Sequence, residues 1–201
     1  MAETHQRRTV LPLERLVTDV ASQLTAVDAA TLVEASRRVL AYLVEQFGVD
    51  VSFLRHNDHE IRATKLIAEY PPRVEVPIPD PLGVIYFADA DPVFALTEHT
   101  KVPQVLRPEP ATYEYQRTIE AATKIPATSL AAVPLVNGEI TTGTLGLVKF
   151  GDRTWDEAEI NALTAVAALF AQVQARVDAE TQLRYLADHD DRRRTPAGRR
   201  R

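Results

Sequence analysis

The chain has 201 residues, of which 45% are hydrophobic, 25% charged and 6% aromatic, the balance of an ordinary globular domain. Its formal net charge is −5, but residues 1–191 carry 17 basic and 28 acidic residues, a net charge of −11 that disfavours binding of this part to a phosphate backbone. The absence of cysteine excludes disulfides, thiolate catalysis, cysteine-based zinc sites and thioether-linked cofactors.

Two helices are predicted at the start of the chain. Apolar residues recur at helical spacing over 13–24 and again over 32–47. Asp28 is predicted as the N-cap of the second helix, because its carboxylate can accept bonds from free amides, and Gly48 is predicted to end that helix.

After Gly48 the apolar pattern changes to period two, which is typical of strands. Alternation over 49–54 and, less regularly, over 61–67 predicts a hairpin whose turn is the HNDH segment 56–59. His56 and His59 have a spacing that suits two metal ligands. No third ligand lies nearby in the sequence, so a solvated turn is favoured and no metal is predicted.

The middle of the chain is proline-rich. The segment EYPPRVEVPIPDPLG (69–83) predicts a loop with extended pieces, because proline cannot continue a helix or donate to a sheet. Four short elements are predicted after it: a buried strand in GVIYFA (83–88), a helix opening at Pro92, an edge strand in KVPQVLRP (101–108) and a helix in ATYEYQRTIEAATK (111–124).

The last third of the chain predicts a hairpin followed by a long helix. Asn137-Gly138 is the favoured pair for a two-residue type I′ turn between strands. Thr154 and Glu157 then fit a capping box that opens a helix over 155–188, a range without proline or glycine.

The apolar stripe of this helix changes phase after Val177. A helix of this length extends beyond the core of a small domain, so its second half is predicted to project and to pair with a second copy of the chain. The residues predicted for this dimer helix are Leu163, Val166, Phe170, Val173, Val177, Leu183 and Leu186.

The two ends of the chain bear on location and partners. The N-terminal segment lacks the apolar core of a secretory signal, and no apolar run predicts a membrane span, so a cytoplasmic location without a membrane partner is expected. Six of the last ten residues are arginine. A short Arg, Pro and Gly segment predicts disorder, and contact of this tail with nucleic acid or acidic lipid is the alternative.

The segment SLAAVPLVNGEITTGTLGLVKFGDRTWDEAEINAL (129–163) resembles the closing signature of GAF sensory domains, and the similarity extends over about 30–182. This resemblance implies an α+β fold with a central antiparallel sheet of five to six strands. N-terminal helices would pack on one face, a lid of short helices and loops would cover the other, and a long helix would end the domain.

The resemblance also divides the chain. It implies an N-terminal helical segment (1–27), a GAF-like core (28–154), a signalling and dimerisation helix (155–188) and a disordered Arg-rich tail (189–201). The segment 80–110 is similar to GAF sensors that precede cyclic di-GMP enzymes.

The sequence LRYLADHDD (183–191) is similar to the junction at which a diguanylate cyclase domain begins, and the similarity stops at Asp191. The Gly-Gly-Asp/Glu-Glu-Phe and Glu-Ala-Leu motifs are absent, so no catalysis is expected. The hypothesis is a sensor separated from its cyclase by a frameshift, an early stop or an artificial boundary.

In this family a ligand would lie between the sheet and a lid over 83–118. The residues this implies are Tyr86, Phe87, Phe94, His99, Arg107, Tyr113, Tyr115 and Arg117. Their rings and cations suit a planar or phosphorylated ligand, with guanine nucleotides as one class, although each is individually explained as a core or surface residue. No cofactor is required; a haem bound by His99 is a further alternative.

Other chemistries of the family fit less well. Methionine sulfoxide reduction and bilin attachment commonly rest on cysteine, which the chain lacks. Lys149, Trp155 and Glu159 match part of a cyclic-nucleotide signature, but Val148 and Ile160 depart from it. A Lys149–Glu159 ion pair between the last strand and the exit helix is implied, with an ordinary surface pair as the alternative.

The function implied is that of a non-catalytic sensory module that binds a small molecule and changes the pairing of its exit helix. The competing hypothesis is a dimerisation platform that binds no ligand.

Overall fold

The computed structural model describes residues 13–108 and 128–194, which form an antiparallel sheet between two layers of helices and loops. The predicted α+β architecture is confirmed. The six strands are β1 (Val51–Asp58), β2 (Ala63–Tyr70), β3 (Val84–Tyr86), β4 (Gln104–Leu106), β5 (Thr128–Asn137) and β6 (Ile140–Phe150). Their order across the sheet is β3-β2-β1-β6-β5-β4, and every neighbouring pair is antiparallel.

The two N-terminal helices are confirmed as α1 (Leu13–Leu24) and α2 (Leu32–Phe47). Gly48 ends α2 with a φ of 62°, a left-handed conformation that glycine adopts without strain. Asp28 is not the N-cap, since Thr31 occupies that position. The Asp28 carboxylate instead accepts a bond from the Thr31 amide at 2.9 Å and stabilises the turn before the helix.

Two predicted turns are displaced. Strand β1 continues to Asp58, so the first turn lies at 59–62 and not at 56–59. The β5–β6 hairpin is confirmed, but its central residues are Gly138 and Glu139, because Asn137 still pairs with Ile140. Of these two only Gly138 has positive φ, whereas a type I′ turn needs it at both central positions, so the type I′ prediction is wrong.

The short elements in the middle agree in position. Helix α3 (Pro92–Leu96) begins at Pro92, and β4 is an edge strand as predicted. Strand β3 is the other edge strand and not a buried one, because Val84 and Tyr86 are exposed. The helix predicted over 111–124 lies outside the described residues.

The remaining helix is α4 (Glu157–Arg194), 38 residues long. The predicted capping box is displaced by two residues: the Asp156 carboxylate accepts from the Glu159 amide at 2.7 Å, and the Glu159 carboxylate accepts from the Asp156 amide at 3.1 Å. The first half of α4 packs against α1 and β5.

This packing corrects part of the predicted dimer helix. Five of its seven residues are buried within their own subunit, with exposed fractions from 0% to 6%: Leu163, Val166, Phe170, Val173 and Val177. They cannot also form a surface between copies. Leu183 and Leu186 are 67% and 55% exposed.

The same helix corrects the expectation that no segment has the composition of a membrane span. Residues 157–187 are long and apolar enough for one, but half of the most apolar window is buried inside the protein. Buried core helices can be equally long and apolar, so the composition of this helix is weak evidence for a membrane span.

The proline-rich loop is fixed at its base by Arg73. Its guanidinium donates to both Glu69 oxygens at 2.8 and 2.9 Å and to both Asp80 oxygens at 2.8 and 2.9 Å. The bonds from Arg73 lower the pKa of Asp80 to about 2, against the opposing effect of desolvation.

We therefore expect Asp80 to contribute stability that is fully present above pH 3.8 and is lost as the pH falls toward about 2. Urea unfolding of the wild type and of Asp80→Asn, at pH 5 and pH 2.5, measures this contribution. The wild type should be the more stable at pH 5, and the difference should shrink at pH 2.5. An equal difference at both pH values would contradict the assignment.

Candidate functional site

A cavity of about 30 Å³ lies between one face of the sheet and α3. The described residues that line it come from five elements and from the turn after α3: Phe53, Arg55, Phe94, Thr97, Gln104, Leu130, Ala132 and Thr144. The opposite face of the same strands carries the hydrophobic core, with Leu54, Ala131, Val133, Leu145 and Leu147 all buried. The cavity is therefore on the lid side, where the family resemblance places a ligand.

Small residues in the sheet create this space. In the register of the strands, Phe53 lies opposite Gly146, Gly146 opposite Ala132, and Ala132 opposite Gln104. A Cβ on Gly146 would overlap the Phe53 ring, so glycine lets that ring lie against the sheet. The side chains along this row of the sheet thus rise little above it and leave space between the sheet and α3.

Arg55 is the only charged side chain among the described residues that line the cavity, and it is 3% exposed. Its guanidinium donates to Thr64 Oγ1 at 3.3 Å, to the Thr64 carbonyl at 2.9 Å and to the Leu82 carbonyl at 2.8 Å. It also lies 5.5 Å from the centre of the Phe94 ring. Burial lowers the pKa of Arg55 to about 10, which still leaves the group protonated at neutral pH.

Two buried polar atoms near the cavity have no hydrogen-bond partner among the described residues, Thr144 Oγ1 and Asn57 Oδ1. The Asn57 amide nitrogen donates to the carbonyls of Thr97 at 2.9 Å and Thr141 at 3.1 Å, so Asn57 connects the sheet to the turn after α3. Thr144 lines the cavity directly. Both atoms are therefore able to form a hydrogen bond with a water molecule or a bound ligand.

Helix α3 is held to the sheet by charge. Glu98 is 7% exposed and accepts two bonds at 3.0 Å from Arg62, which lowers the pKa of Glu98. His59 Nε2 lies 2.9 Å from the Thr141 carbonyl. The Arg62–Glu98 contact joins the turn after α3 to the turn between β1 and β2.

The predicted ligand residues are only partly brought together. Phe94 lines the cavity. Phe87 is buried but does not line it, Tyr86 is exposed on the edge strand β3, and the His99 side chain is 77% exposed. An exposed His99 offers no enclosed haem site. Tyr113, Tyr115 and Arg117 lie outside the described residues.

Arg107 has a different role from the one predicted. It makes a bidentate pair with Asp152 at 2.9 and 2.7 Å, in the loop that leads to α4, and does not line the cavity. This pair lowers the pKa of Asp152.

The predicted Lys149–Glu159 pair is not formed. Lys149 pairs with Asp50 at 3.0 Å, and Asp50 also accepts from the Phe150 amide at 2.6 Å. Glu159 pairs with Arg153 at 2.6 Å. Asp50 therefore replaces Glu159 as the partner of Lys149, and Arg153 replaces Lys149 as the partner of Glu159.

Arg153 instead connects α2 to the start of α4. Its guanidinium donates to the Phe47 carbonyl at 2.6 Å and to Glu159, and it lies 4.3 Å from the centre of the Trp155 ring. The backbone amide of Arg153 donates to Ser129 of β5 at 2.8 Å. The entry into α4 is therefore fixed to both a helix and a cavity-bearing strand.

Within the described ranges, no group of three His, Asp or Glu residues could hold a metal ion. His56 and His59 thus find no third ligand there. A larger, open groove of about 510 Å³ lies on the helical side, beside Tyr42 and Tyr70. It has no buried charge, so the lid-side cavity is the better candidate site.

The size of the cavity limits its contents. A water molecule needs roughly 10–15 Å³ of such volume, and pockets for drug-sized ligands measure about 300–1,000 Å³. The described state has room for about two or three water-sized groups, and a nucleotide would require α3 to move away from the sheet.

Residues 29–173 match a family model described as GAF domain. Uncharacterized proteins of Mycobacterium tuberculosis (strain H37Rv) and Mycobacterium bovis are each 72% identical to the chain over 179 residues, 89% of this chain and 29% of the relative. The chain therefore spans less than a third of the length of these curated relatives.

Solved structures give the same fold. The GAF domain of a Coxiella burnetii phosphoenolpyruvate-protein phosphotransferase matches 87% of this chain and 99% of its own, with a TM-score of 0.70 at 15% identity. A phycocyanobilin-bound GAF domain from a cyanobacterial phytochrome matches 85% of this chain and 97% of its own, with a TM-score of 0.63 at 17% identity. A substrate complex of Neisseria meningitidis free methionine-R-sulfoxide reductase matches 85% of this chain and 91% of its own, with a TM-score of 0.62 at 16% identity. At these identities the likeness shows the fold alone.

Proposed function

Since the chain belongs to the GAF domain family, we propose that it is a non-catalytic sensory module that binds a small molecule between its sheet and its lid. The observation that carries this proposal is the lid-side cavity, which contains a buried cation and an unpartnered hydroxyl. GAF domains are generally small-molecule sensors, and both groups suit a polar ligand.

Strand β5 connects the cavity to α4, and this connection suggests how ligand binding would be transmitted. Leu130 and Ala132 of β5 face the cavity, while Ala131 and Val133 lie in the core on the side where α4 packs. Arg153 ties the start of α4 to α2 and β5. A ligand that favours one position of β5 would therefore also favour one position of α4, a shift in population between two states.

A thermal-shift screen of the whole chain against nucleotides, organic acids and amines tests the proposal. A specific ligand in excess should stabilise the fold by RT ln(1 + [L]/Kd), about 2.7 kcal/mol at a hundred times Kd. A chain that is dimeric but is stabilised by none of these compounds would favour the alternative function, a ligand-free dimerisation platform.

We also propose that the chain forms a homodimer through the distal half of α4. The support is the exposure of Leu183 and Leu186, one helical turn apart. Changing both to aspartate should convert the dimer to monomer in sedimentation velocity, because two charges would be buried in the interface. Gln172→Asp, an exposed change in the first half of α4, is the control. A monomeric wild type would refute the proposal.

Finally, we propose a link to cyclic di-GMP signalling, in which the chain is the sensor part of a longer protein with a cyclase domain. The similarity of residues 183–191 to a cyclase junction supports it, and so does the greater length of the relatives. Sequencing the gene downstream tests this link, and finding no cyclase-coding sequence in any frame would refute it. The chain itself should form no cyclic di-GMP from GTP.

A further inference from the structure

The buried guanidinium of Arg55 is bonded to oxygens of Thr64 and Leu82 and to no described carboxylate. Among the described residues no carboxylate lies within 4.0 Å of its guanidinium, and the nearby Asp80 has both oxygens bonded to Arg73. Buried charges in proteins are normally paired, because an unpaired one retains the full cost of leaving water. The Phe94 ring offsets only part of this cost. Asp80 and Glu69 attract the charge of Arg55 only from a distance, since both carboxylates are bonded to Arg73, so no carboxylate is bonded to the Arg55 guanidinium itself.

Some hydrogen-bond donors of Arg55 and Thr144 also lack an acceptor among the described residues. A guanidinium has five N–H groups, and three of those of Arg55 are used. Arg55 and Thr144 are directly opposite each other in the β1–β6 register, so both side chains are on the lid face. The Thr144 hydroxyl, 4% exposed, has no partner among the described residues. Free donors beside a positive charge are suited to an acceptor that carries negative charge.

A purely structural role for Arg55 explains less. Its bonds to the Thr64 hydroxyl and to the carbonyls of Thr64 and Leu82 join β1 to β2 and to the proline-rich loop, which accounts for three donors. That role does not require an unpartnered hydroxyl on the neighbouring strand. A neutral amide with two donors could make two of these three bonds without the cost of a buried charge.

The geometry points to a ligand with an oxyanion head, a carboxylate or a phosphate, that is held by the Arg55 guanidinium and the Thr144 hydroxyl. This inference rests on the proposed function and names the class of ligand. The cavity of about 30 Å³ fits the head group alone. The rest of a larger ligand would enter only when the lid moves.

The experiment uses the whole chain and small anions as probes of the head group. Formate and acetate are the carboxylate probes and inorganic phosphate is the phosphate probe. Formamide and acetamide are the neutral analogues, and sodium chloride is matched to the same ionic strength. The readouts are the NMR signal of the Arg55 Nε–H group and the thermal midpoint. The expected result is that the carboxylates, phosphate or both shift the two readouts and that the amides and chloride do not.

Variants assign the effect to the two residues. Arg55→Gln should weaken binding at least 30-fold, because the charge of a buried pair is lost. Thr144→Val should weaken it about 2- to 10-fold, because one hydrogen bond is lost. Thr144→Val also keeps the shape of the side chain and breaks no described bond, so it remains informative if Arg55→Gln does not fold. Arg37→Gln, on the exposed surface of α2, is the matched control and should bind as the wild type does.

The possible failures are distinguishable. A compound from the thermal-shift screen that is neutral or cationic and stabilises the wild type and Thr144→Val equally would overturn this inference and leave the proposed function standing. Equal responses to formate and formamide would overturn it too. If neither the anions nor any compound in the screen acts on the wild type, both proposals fail. Comparing phosphate with the carboxylates decides between the two head groups.

Discussion

Phe170→Ala should lower the free energy of unfolding of the subunit by about 3–5 kcal/mol, the usual cost of removing a buried aromatic side chain. Phe170 is 0% exposed, on the half of α4 that packs against α1 and β5. Urea denaturation at several protein concentrations measures the change. Because the loss is within one subunit, it should be independent of concentration.

The comparison residue is Leu183, on the same helix but 67% exposed. Leu183→Ala should change the stability of the subunit by no more than about 0.5 kcal/mol. If Phe170 were part of a dimer seam, its substitution would instead reduce dimerisation and leave the subunit stable. That outcome would contradict the packing of α4.

The second large effect is expected from Gly143→Ala, which should destabilise the fold by about 2–3 kcal/mol. A Cβ at this position would overlap the backbone carbonyl of Arg55, where β6 pairs with β1. Backbone in the middle of a ladder cannot turn aside, so the strands must separate locally. Thermal unfolding measures the effect.

Gly146→Ala is the matched change in the same strand. There the added Cβ would meet only the Phe53 ring, a side chain that can rotate. We expect a smaller loss, about 1 kcal/mol, and a weaker response to small anions because the displaced ring would enter the cavity. Equal losses for the two alanines would contradict the distinction between backbone and side-chain contact.

The helices and strands were largely predictable because local patterns determine them. Apolar spacing predicts both bounds of α1 and α2 correctly. The turn of the β5–β6 hairpin is displaced by one residue because Asn137 still pairs with Ile140, and the Asn-Gly pair alone does not reveal where the strand pairing ends. The capping box is displaced because Asp156 and Glu159 have the same spacing as Thr154 and Glu157.

The partner of α4 was not predictable, since an apolar stripe looks the same whether a sheet or a second helix covers it. Phe170 lies in its own core only because α1 and β5 are brought beside it, a long-range arrangement.

The site itself was the hardest to predict. Both faces of the sheet are covered, so Ser52 and Leu54 are buried on one side while Arg55 is buried on the other. The pattern of polar and apolar residues along β1 therefore does not show which face of the sheet is buried. The available signal was the position of Arg55, two residues after Phe53 and so on the same face of the predicted strand. Its burial depends on the lid that covers this face.

The alternation of side chains suggests how recognition and response could be altered separately. In β5 and β6 the even-numbered positions Leu130, Ala132 and Thr144 face the cavity, and their odd-numbered neighbours, such as Ala131 and Leu145, belong to the core. In the proposed sensory module, substitutions in the even set would change which ligand binds, whereas the odd set would preserve the packing that connects β5 to α4. Recognition and response would then be separated by a single residue along one strand.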